Sequence, residues 1–294
     1  MSDVKTITHP NGVKIEFNPG NHRYKINGES GWPSVTTILG IIDKPQLIWW
    51  AQKVGLHGAA QLAKLGVPLG EFAPEEPIDV DGMDYDELLR LMKQHGLRTN
   101  DLRDARGDEG TIQHAVAEEF GKTGKAPSLK DFEPNVRPRI QGFCAFLVDA
   151  TPKFIETEVI VAHREHRYAG MYDARAALPS CSLVVNAETG ERADFPLGRY
   201  MIDYKSGKRI YDEASLQLAG YEGASIDCGY HPTDEQIVVR VTDDGKYEVA
   251  RCWSKPETFY DLAGTHRSLK EDGKRKTELE KSTAAQAAET AVAA

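Results

Sequence analysis

The spacing of hydrophobic and polar residues predicts short strands followed by helices in the N-terminal part of the chain. Alternation over residues 13 to 27, interrupted by the turn residues Asn-Pro-Gly-Asn, predicts a β-hairpin. Ser34 stands where a helix N-cap is expected, and we expect the helix that follows to end at Gly40. Helical spacing predicts further helices beginning near Pro45, Asp84 and Asp108.

The second half of the chain has the predicted order helix, strand, strand, strand, helix, strand. The helix pattern over residues 134 to 150 precedes strand patterns at 154 to 162 and 168 to 177. The remaining patterns are a strand at 199 to 205, a helix at 212 to 226, and paired strands at 235 to 241 and 247 to 253. This order predicts an α/β fold with a mixed central sheet flanked by helices.

These patterns predict five segments along the chain. They are an N-terminal β-hairpin flap (1–30), a helical region (31–133), an α/β core (134–255), a C-terminal helix (256–282) and a disordered Ala-rich tail (283–294). The fold class is therefore α/β, with an N-terminal hairpin and a helical extension before the core.

The charge balance excludes a globally basic nucleic-acid-binding protein. Among 294 residues, 36 Lys and Arg stand against 45 Asp and Glu, which gives a net charge of −9 at pH 7. A nucleic-acid partner must then be held by a local positive groove, or through metal ions that reverse the sign of an acidic site.

The chain lacks the sequence marks of membrane-spanning and disulfide-bonded proteins. No stretch approaches about 18 consecutive apolar residues, and residues 1 to 5 do not resemble a signal peptide, so we expect a cytoplasmic protein without a membrane span. Zinc and iron–sulfur motifs use closely spaced cysteine pairs, and none is present. We expect reduced thiols and no iron–sulfur cluster at the four cysteines, Cys144, Cys181, Cys228 and Cys252.

Candidate chemistry begins with Asp203 and Lys205 at the end of an apolar strand. The period of two along a strand places the carboxylate and the ammonium on one face, where both can serve one site. An Asp-x-Lys triplet is common, however, and alone it is equally typical of an exposed ion pair on an edge strand.

Further carboxylates belong to neighbouring strands. Asp173 lies on one strand, and Gly170 before it permits a close backbone approach or a bulge. Glu156 and Glu158 share a face of the strand expected to pair with it; we favour Glu158 for the site and interpret Glu156 as a surface acid. Carboxylates beside a lysine favour Mg²⁺ or Mn²⁺ and phosphodiester cleavage by a metal-activated water.

Two helices contribute polar pairs spaced one turn apart. His114 with Glu118, and Gln217 with Tyr221, each share a helix face. Such pairs are also common as packing or surface residues, so neither pair alone defines a site. Positive charge for DNA is offered at the entry to the second helix, by Lys208 and Arg209, and additionally by Arg137 and Arg139, although ordinary solvated surface explains these residues as well.

The order of these short motifs is more informative than any one of them. Gly-Thr-x-x-His114, a strand glutamate, Gly-x-x-Asp173, Asp203-x-Lys205-Ser-Gly and Gln217-x-x-x-Tyr221 occur in sequence. In this order the chain resembles the PD-(D/E)XK nuclease superfamily, and in particular its RecB-like branch of phage and recombination exonucleases. The segment Trp-Pro-Ser-Val-Thr-Thr-Ile-Leu at 32 to 39 also resembles phage members. The resemblance spans roughly residues 32 to 241 and implies a restriction-endonuclease-like core.

The resemblance implies a role for each matching residue. It implies one or two Mg²⁺ or Mn²⁺ ions, Lys205 as the catalytic lysine, and Gln217 and Tyr221 as parts of the DNA-side wall. The implied metal ligands are His114, Glu158, Asp173, Asp203 and the backbone carbonyl of Tyr204. The chain departs from the pattern at Tyr172, where the family has proline, and in the 30-residue interval between Asp173 and Asp203, which contains an inserted hairpin.

The expected function is a metal-dependent DNA exonuclease in recombination, repair or phage DNA processing. Two alternatives remain open: a structure- or site-specific endonuclease on the same core, and a catalytically silent DNA-binding module. The resemblance also suggests a phage single-strand annealing protein as a partner, and a bacterial or phage-infected cell as the location.

Overall fold

The computed structural model divides the chain into two compact units. One unit combines Met1–Ile41 with Val116–Ala294, and the other is Ile42–Ala115. The structure describes residues 4–42, 51–52, 54–55, 85–94, 116–117, 119–120, 123–125, 127–207 and 209–293. The second helix predicted near Pro45, with Trp49 and Trp50, lies outside the described residues, as does most of the helix predicted at 108 to 120.

The N-terminal segment forms a four-stranded antiparallel sheet rather than a lone hairpin. Its strands, in spatial order, are β1 (Lys5–Thr8), β2 (Lys14–Asn18), β3 (Arg23–Ile26) and β4 (Glu29–Trp32). The alternating pattern predicts β2 and β3. The flanking strands were missed because β1 and β4 are short and almost entirely exposed, so they carry no hydrophobic alternation.

A short helix, α1 (Val35–Leu39), follows this sheet where the sequence predicts it. The Ser34 side chain accepts a hydrogen bond from the Thr37 N–H, and Gly40 is the C-cap. The N-cap satisfies a backbone donor that the helix itself cannot pair, which explains why the helix begins at this position. In the other unit, the predicted helix near Asp84 is α2 (Tyr85–Gln94).

The core follows the predicted order of elements. It contains the helices α3 (Arg137–Ala150) and α4 (Glu213–Asp227), and the strands β5 (Lys153–His163), β6 (Tyr168–Leu178), β9 (Gly198–Lys205), β10 (Glu235–Val241) and β11 (Tyr247–Cys252). The interval between β6 and β9 holds a separate two-stranded hairpin, β7 (Cys181–Asn186) with β8 (Glu191–Phe195).

The central sheet has five strands in the order β11-β10-β9-β6-β5. Within this sheet, β9 and β10 run parallel and the other neighbours run antiparallel, so the sheet is mixed. Consecutive residues of its interior strands are fully buried, as in Tyr200–Ile202 of β9 and Ile237–Val239 of β10, as expected for a sheet covered on both faces. The predicted α/β fold with a mixed sheet flanked by helices is confirmed.

Helices α3 and α4 cover opposite faces of this sheet. Phe143 of α3 packs edge-on against the Tyr204 ring, with ring centroids 5.1 Å apart. Gln217 of α4 hydrogen-bonds with Asp203, the residue before Tyr204. Because adjacent residues on a strand point to opposite faces, the two helices lie on opposite sides of β9.

The C-terminal helix α5 (Pro256–Ala293) packs on α4 through Phe259, which is completely buried against Gly220. The helix continues to Ala293 and so includes most of the segment 283 to 294, for which the sequence predicts disorder. Alanine has the highest helix propensity of all residues, and the tail is composed largely of alanine. Within the described part of the chain, no helix combines the length and the hydropathy that a bilayer span requires.

We predict that Gly142→Ala lowers the free energy of unfolding by about 1 to 3 kcal/mol. A Cβ at Gly142, in α3, would overlap the Lys246 carbonyl of the β10–β11 turn, and backbone atoms cannot move aside cheaply. Gly264→Ala, in α5, is the matched control, because a Cβ there meets nothing within 4 Å. The control should raise stability by about 0.5 to 1 kcal/mol in urea denaturation. Equal effects of both variants would contradict this packing.

Candidate active site

The predicted acids Glu158 and Asp173 face each other across β5 and β6. The register pairs Thr157 with Ala174, so the next row brings Glu158 opposite Asp173. Glu158 has a φ of 51°, a left-handed backbone conformation that residues other than glycine rarely adopt. The backbone is therefore distorted at a residue that the sequence assigns to the site.

Asp173 stands where β6 and β9 separate. The last paired row between these strands joins Ala174 with Ile202, and the next row brings Asp173 beside Asp203. Here a side chain takes the place of a backbone acceptor on β6: the Tyr204 N–H donates a hydrogen bond to Asp173 Oδ2 at 2.7 Å. Glu158, Asp173 and Asp203 thus lie in one row across three neighbouring strands. Tyr204, for which a carbonyl role is predicted, contributes its N–H in this structure.

A hydrogen-bonded network surrounds the Asp203 carboxylate. Lys205 Nζ lies 2.8 Å from Asp203 Oδ2 and donates to Gln217 Oε1 at 3.1 Å. Gln217 Nε2 donates to Asp203 Oδ1 at 3.2 Å and to Tyr221 Oη at 3.0 Å. The Asp203 side chain is 2% exposed and that of Lys205 is 35% exposed, so the network links a buried carboxylate to a half-buried lysine.

The network depends on a close contact between Tyr221 and Gly170. A Cβ on Gly170 would lie 2.5 Å from Tyr221 Cε1 and 3.1 Å from Val35 Cγ2, so a larger residue would displace the ring. Of the two sequence interpretations of Gly170, the structure therefore supports close approach. Because Gly170 has no side chain, α4 and its Tyr221 can pack directly against β6.

Electrostatics keep the polar groups of the network protonated. Burial opposes the charge on Lys205, but the carboxylates of Asp203 and Asp173 outweigh it, and the Lys205 pKa is raised above its ordinary value. Burial, with a contribution from the same two carboxylates, raises the pKa of Tyr221 well above its usual range. At neutral pH the site therefore contains an ammonium and a phenol, both able to donate hydrogen bonds.

Arg240 supports the site and was missed from the sequence. It lies beside Lys205 in the parallel register of β9 and β10. Its Nε donates to Glu248 Oε1 at 2.7 Å, and one terminal nitrogen donates to the Gly207 carbonyl at 3.3 Å. Arg240 therefore anchors the loop that follows Lys205. An arginine inside the apolar run Ile-Val-Val-Arg-Val was the available signal.

Glu156 belongs to a different cluster from Glu158. Tyr172, which stands where the family has proline, is fully buried and donates its hydroxyl to Glu156 Oε2 at 2.6 Å. The same oxygen lies 3.7 Å from the Arg175 guanidinium. The surface interpretation of Glu156 is thus wrong: the carboxylate is partly buried, because Tyr172 and Arg175 compensate its desolvation. An irregular register near Phe154 allows the two glutamates to differ in environment.

Several predicted site residues are not brought to this network by the described residues. His114 and Lys208 lie outside the described part of the chain. Arg209 is exposed, with its guanidinium 4.7 Å from the Tyr211 ring centre. Arg137 and Arg139 belong to α3 on the opposite sheet face, where they bind the Phe132 carbonyl and Asp243.

The donor chemistry of the acidic row fits a hard divalent cation. Asp173 and Asp203 offer carboxylate oxygens from one row of neighbouring strands, and Mg²⁺ and Mn²⁺ prefer such ligands. Among the described residues, no three His, Cys, Asp or Glu side chains converge closely enough to hold a metal ion. A metal bound by these two aspartates would therefore need at least one further ligand.

No protein-family model matches the chain, and no curated protein matches it.

We predict that Gln217→Met lowers the free energy of unfolding by about 1 to 3 kcal/mol, because the buried Asp203 oxygen and the Tyr221 hydroxyl lose their shared partner. Met conserves the volume of the side chain, so packing is largely kept. The exposed Gln141 in α3 provides the control: Gln141→Met should change stability by less than about 0.5 kcal/mol. A loss at Gln217 no larger than that at Gln141, measured by urea denaturation, would show that the network contributes nothing to stability.

Proposed function

We propose that this protein is a Mg²⁺- or Mn²⁺-dependent deoxyribonuclease of the PD-(D/E)XK superfamily, in its RecB-like exonuclease branch. The observation that carries the proposal is the convergence of Lys205 and Gln217 on Asp203, beside Asp173 at the point where β6 and β9 separate. The resemblance to the superfamily assigns these four residues to one site, and they are neighbours in the fold.

The order of elements supports a restriction-endonuclease-like core. Helix α3 precedes β5, β6 and β9, and α4 connects β9 to the parallel strand β10. The β7–β8 hairpin is inserted between the two strands that carry the aspartates and forms its own small sheet. The insertion lengthens the interval between Asp173 and Asp203 without altering their register.

In the proposed mechanism, Asp173 and Asp203 hold the metal, together with the expected ligands Glu158 and His114. A bound divalent ion would activate a water for attack and stabilise the charge that develops on the phosphate. Glu158 lies one strand beyond Asp173 in the same row, and this backbone position supports its inclusion among the ligands. The protein's own contribution is to hold these oxygens together at a protein–solvent boundary.

Lys205 supplies positive charge to the reacting phosphodiester. Its ammonium is held by Asp203 and Gln217 and remains protonated, and the side chain as a whole is half-buried. It can therefore donate a hydrogen bond to a phosphate oxygen or orient the attacking water. Gln217 positions the lysine and the aspartate together, and Tyr221 fixes the amide of Gln217 in the required orientation.

Cleavage at DNA ends rests on the resemblance to RecB-like exonucleases. An endonuclease on the same core and a silent DNA-binding module remain the alternative outcomes. The buried ion pair weighs against the silent module, since a binding scaffold has no need to bury a carboxylate beside a lysine at a desolvation cost.

We expect Asp203→Ala to abolish metal-dependent DNA cleavage, because it removes a metal ligand. Lys205→Ala should bind metal but cleave about 10² to 10⁴-fold more slowly. Lys246→Ala, at the exposed β10–β11 turn, is the control and should retain full activity. Activity is measured on end-labelled DNA, and metal binding by calorimetry. Wild-type turnover by the Asp203 or Lys205 variant would exclude this site.

The type of cleavage is decided by comparing linear with closed circular DNA in Mg²⁺, Mn²⁺ or chelator. Loss of linear DNA alone supports the exonuclease. Cleavage of circular DNA would instead support the endonuclease. DNA binding without cleavage in either metal would support the catalytically silent module. Removal of the His114 imidazole, in His114→Ala, tests the ligand role that the resemblance assigns to it.

A further inference from the structure

A cleft of about 760 Å³ lies between the N-terminal sheet and α5. Its walls come from β2, β3, β4, the start of α1 and the middle of α5. The cleft belongs entirely to the unit that contains the acidic row. It does not include the network of Asp203, Lys205 and Gln217, so it is a separate feature of the surface.

The lining of this cleft is basic although the protein as a whole is acidic. Arg23, Lys25 and Lys270 line it, are exposed, and make no ion pair with another described residue. The acid that lines it, Glu16, lies 3.6 Å from Lys14 and is thereby partly neutralised. Burial and the nearby Lys270 lower the pKa of His266, so the positive charge at neutral pH comes from the three cations.

The cleft wall meets β6 at Ala169, in the part of this strand that is not paired with β9. Pro33 and Ser34 line the cleft, and both meet β6 at Ala169, whose N–H donates to the Pro33 carbonyl at 3.0 Å. Ala169 precedes Asp173 by four residues on β6, which corresponds to about 13 Å along the strand. The part of the cleft wall that meets Ala169 is therefore only a few nucleotide lengths from the acidic row.

Helix α1 connects the cleft wall to the network directly. Ser34 and Thr37 line the cleft, while Val35 between them packs against Gly170 beneath the Tyr221 ring. The packing of Val35 against Gly170 therefore joins the cleft wall to β6, the strand that carries Asp173.

We propose that this cleft binds the phosphodiester backbone of the DNA strand on one side of the scissile bond, with Arg23, Lys25 and Lys270 as its phosphate contacts. The inference rests on the proposed nuclease function and extends it. An acidic protein needs a local basic surface to hold DNA, and this cleft supplies one beside the site. Phosphate contacts of this type fix the position of the strand without reading its sequence.

The test is the salt dependence of DNA binding by the full chain in chelator, where cleavage does not interfere. Fluorescence anisotropy with a labelled oligonucleotide gives the slope of log K against log salt. For the triple variant Arg23→Ala, Lys25→Ala, Lys270→Ala we expect a slope flatter by about 2 to 3, since each phosphate contact contributes about 0.7 to 0.9. At the lowest salt, binding should weaken by at least about tenfold.

The matched control removes three exposed lysines elsewhere, in Lys125→Ala, Lys130→Ala, Lys246→Ala, and changes the net charge equally. Its slope should equal that of the wild type. An unchanged slope in the cleft variant, or the same flattening in both, would overturn the proposal. Metal-dependent cleavage by the wild-type protein is measured in parallel. Cleavage with an unchanged slope rejects the cleft alone, whereas a flattened slope without cleavage in any metal rejects the nuclease and keeps the cleft as a DNA-binding surface.

Discussion

The burial of the Asp203 carboxylate is the constraint on which the site depends. A carboxylate at 2% exposure is strongly destabilising unless charged and hydrogen-bonding partners surround it. Lys205 supplies the charge and Gln217 the hydrogen bond, and both can do so because α4 lies directly against the sheet. That close packing requires the absence of a side chain at Gly170. The helix, the glycine and the two polar partners are thus consequences of one buried charge.

The separation of β6 and β9 explains how a continuous sheet can also present a reactive edge. A complete ladder would occupy the backbone groups around Asp173 and leave no opening. Instead, the Asp173 side chain accepts the Tyr204 N–H, and the strand continues by pairing with β5 and meeting Ser34. On one side of the acidic row β6 therefore pairs with both β5 and β9, while on the other side it pairs with β5 and meets the N-terminal segment at Ser34.

Local patterns were sufficient for most of the core and for the centre of the site. Strand parity placed Asp203 with Lys205, and the one-turn spacing placed Gln217 with Tyr221, because both relations depend on backbone geometry alone. Contacts between distant segments could not be predicted in this way. The bond from Arg240 to the loop after Lys205 depends on strand order, which hydrophobic spacing does not contain.

The same limit explains the errors. Glu156 was interpreted as a surface acid because the pattern does not show the irregular register, or the Tyr172 hydroxyl that bonds to it. Strands β1 and β4 have no buried alternation to detect.

The left-handed backbone at Glu158 has a consequence for how this position can change. Glycine would relax the backbone but remove the carboxylate, and aspartate or asparagine would tolerate the conformation better with a shorter reach. The left-handed conformation of a glutamate at this position costs about 1 to 3 kcal/mol in conformational free energy. If Glu158 has the proposed ligand role, chemical and conformational demands favour opposite residues at position 158, and a glycine there would relax the backbone only by removing one acid of the row.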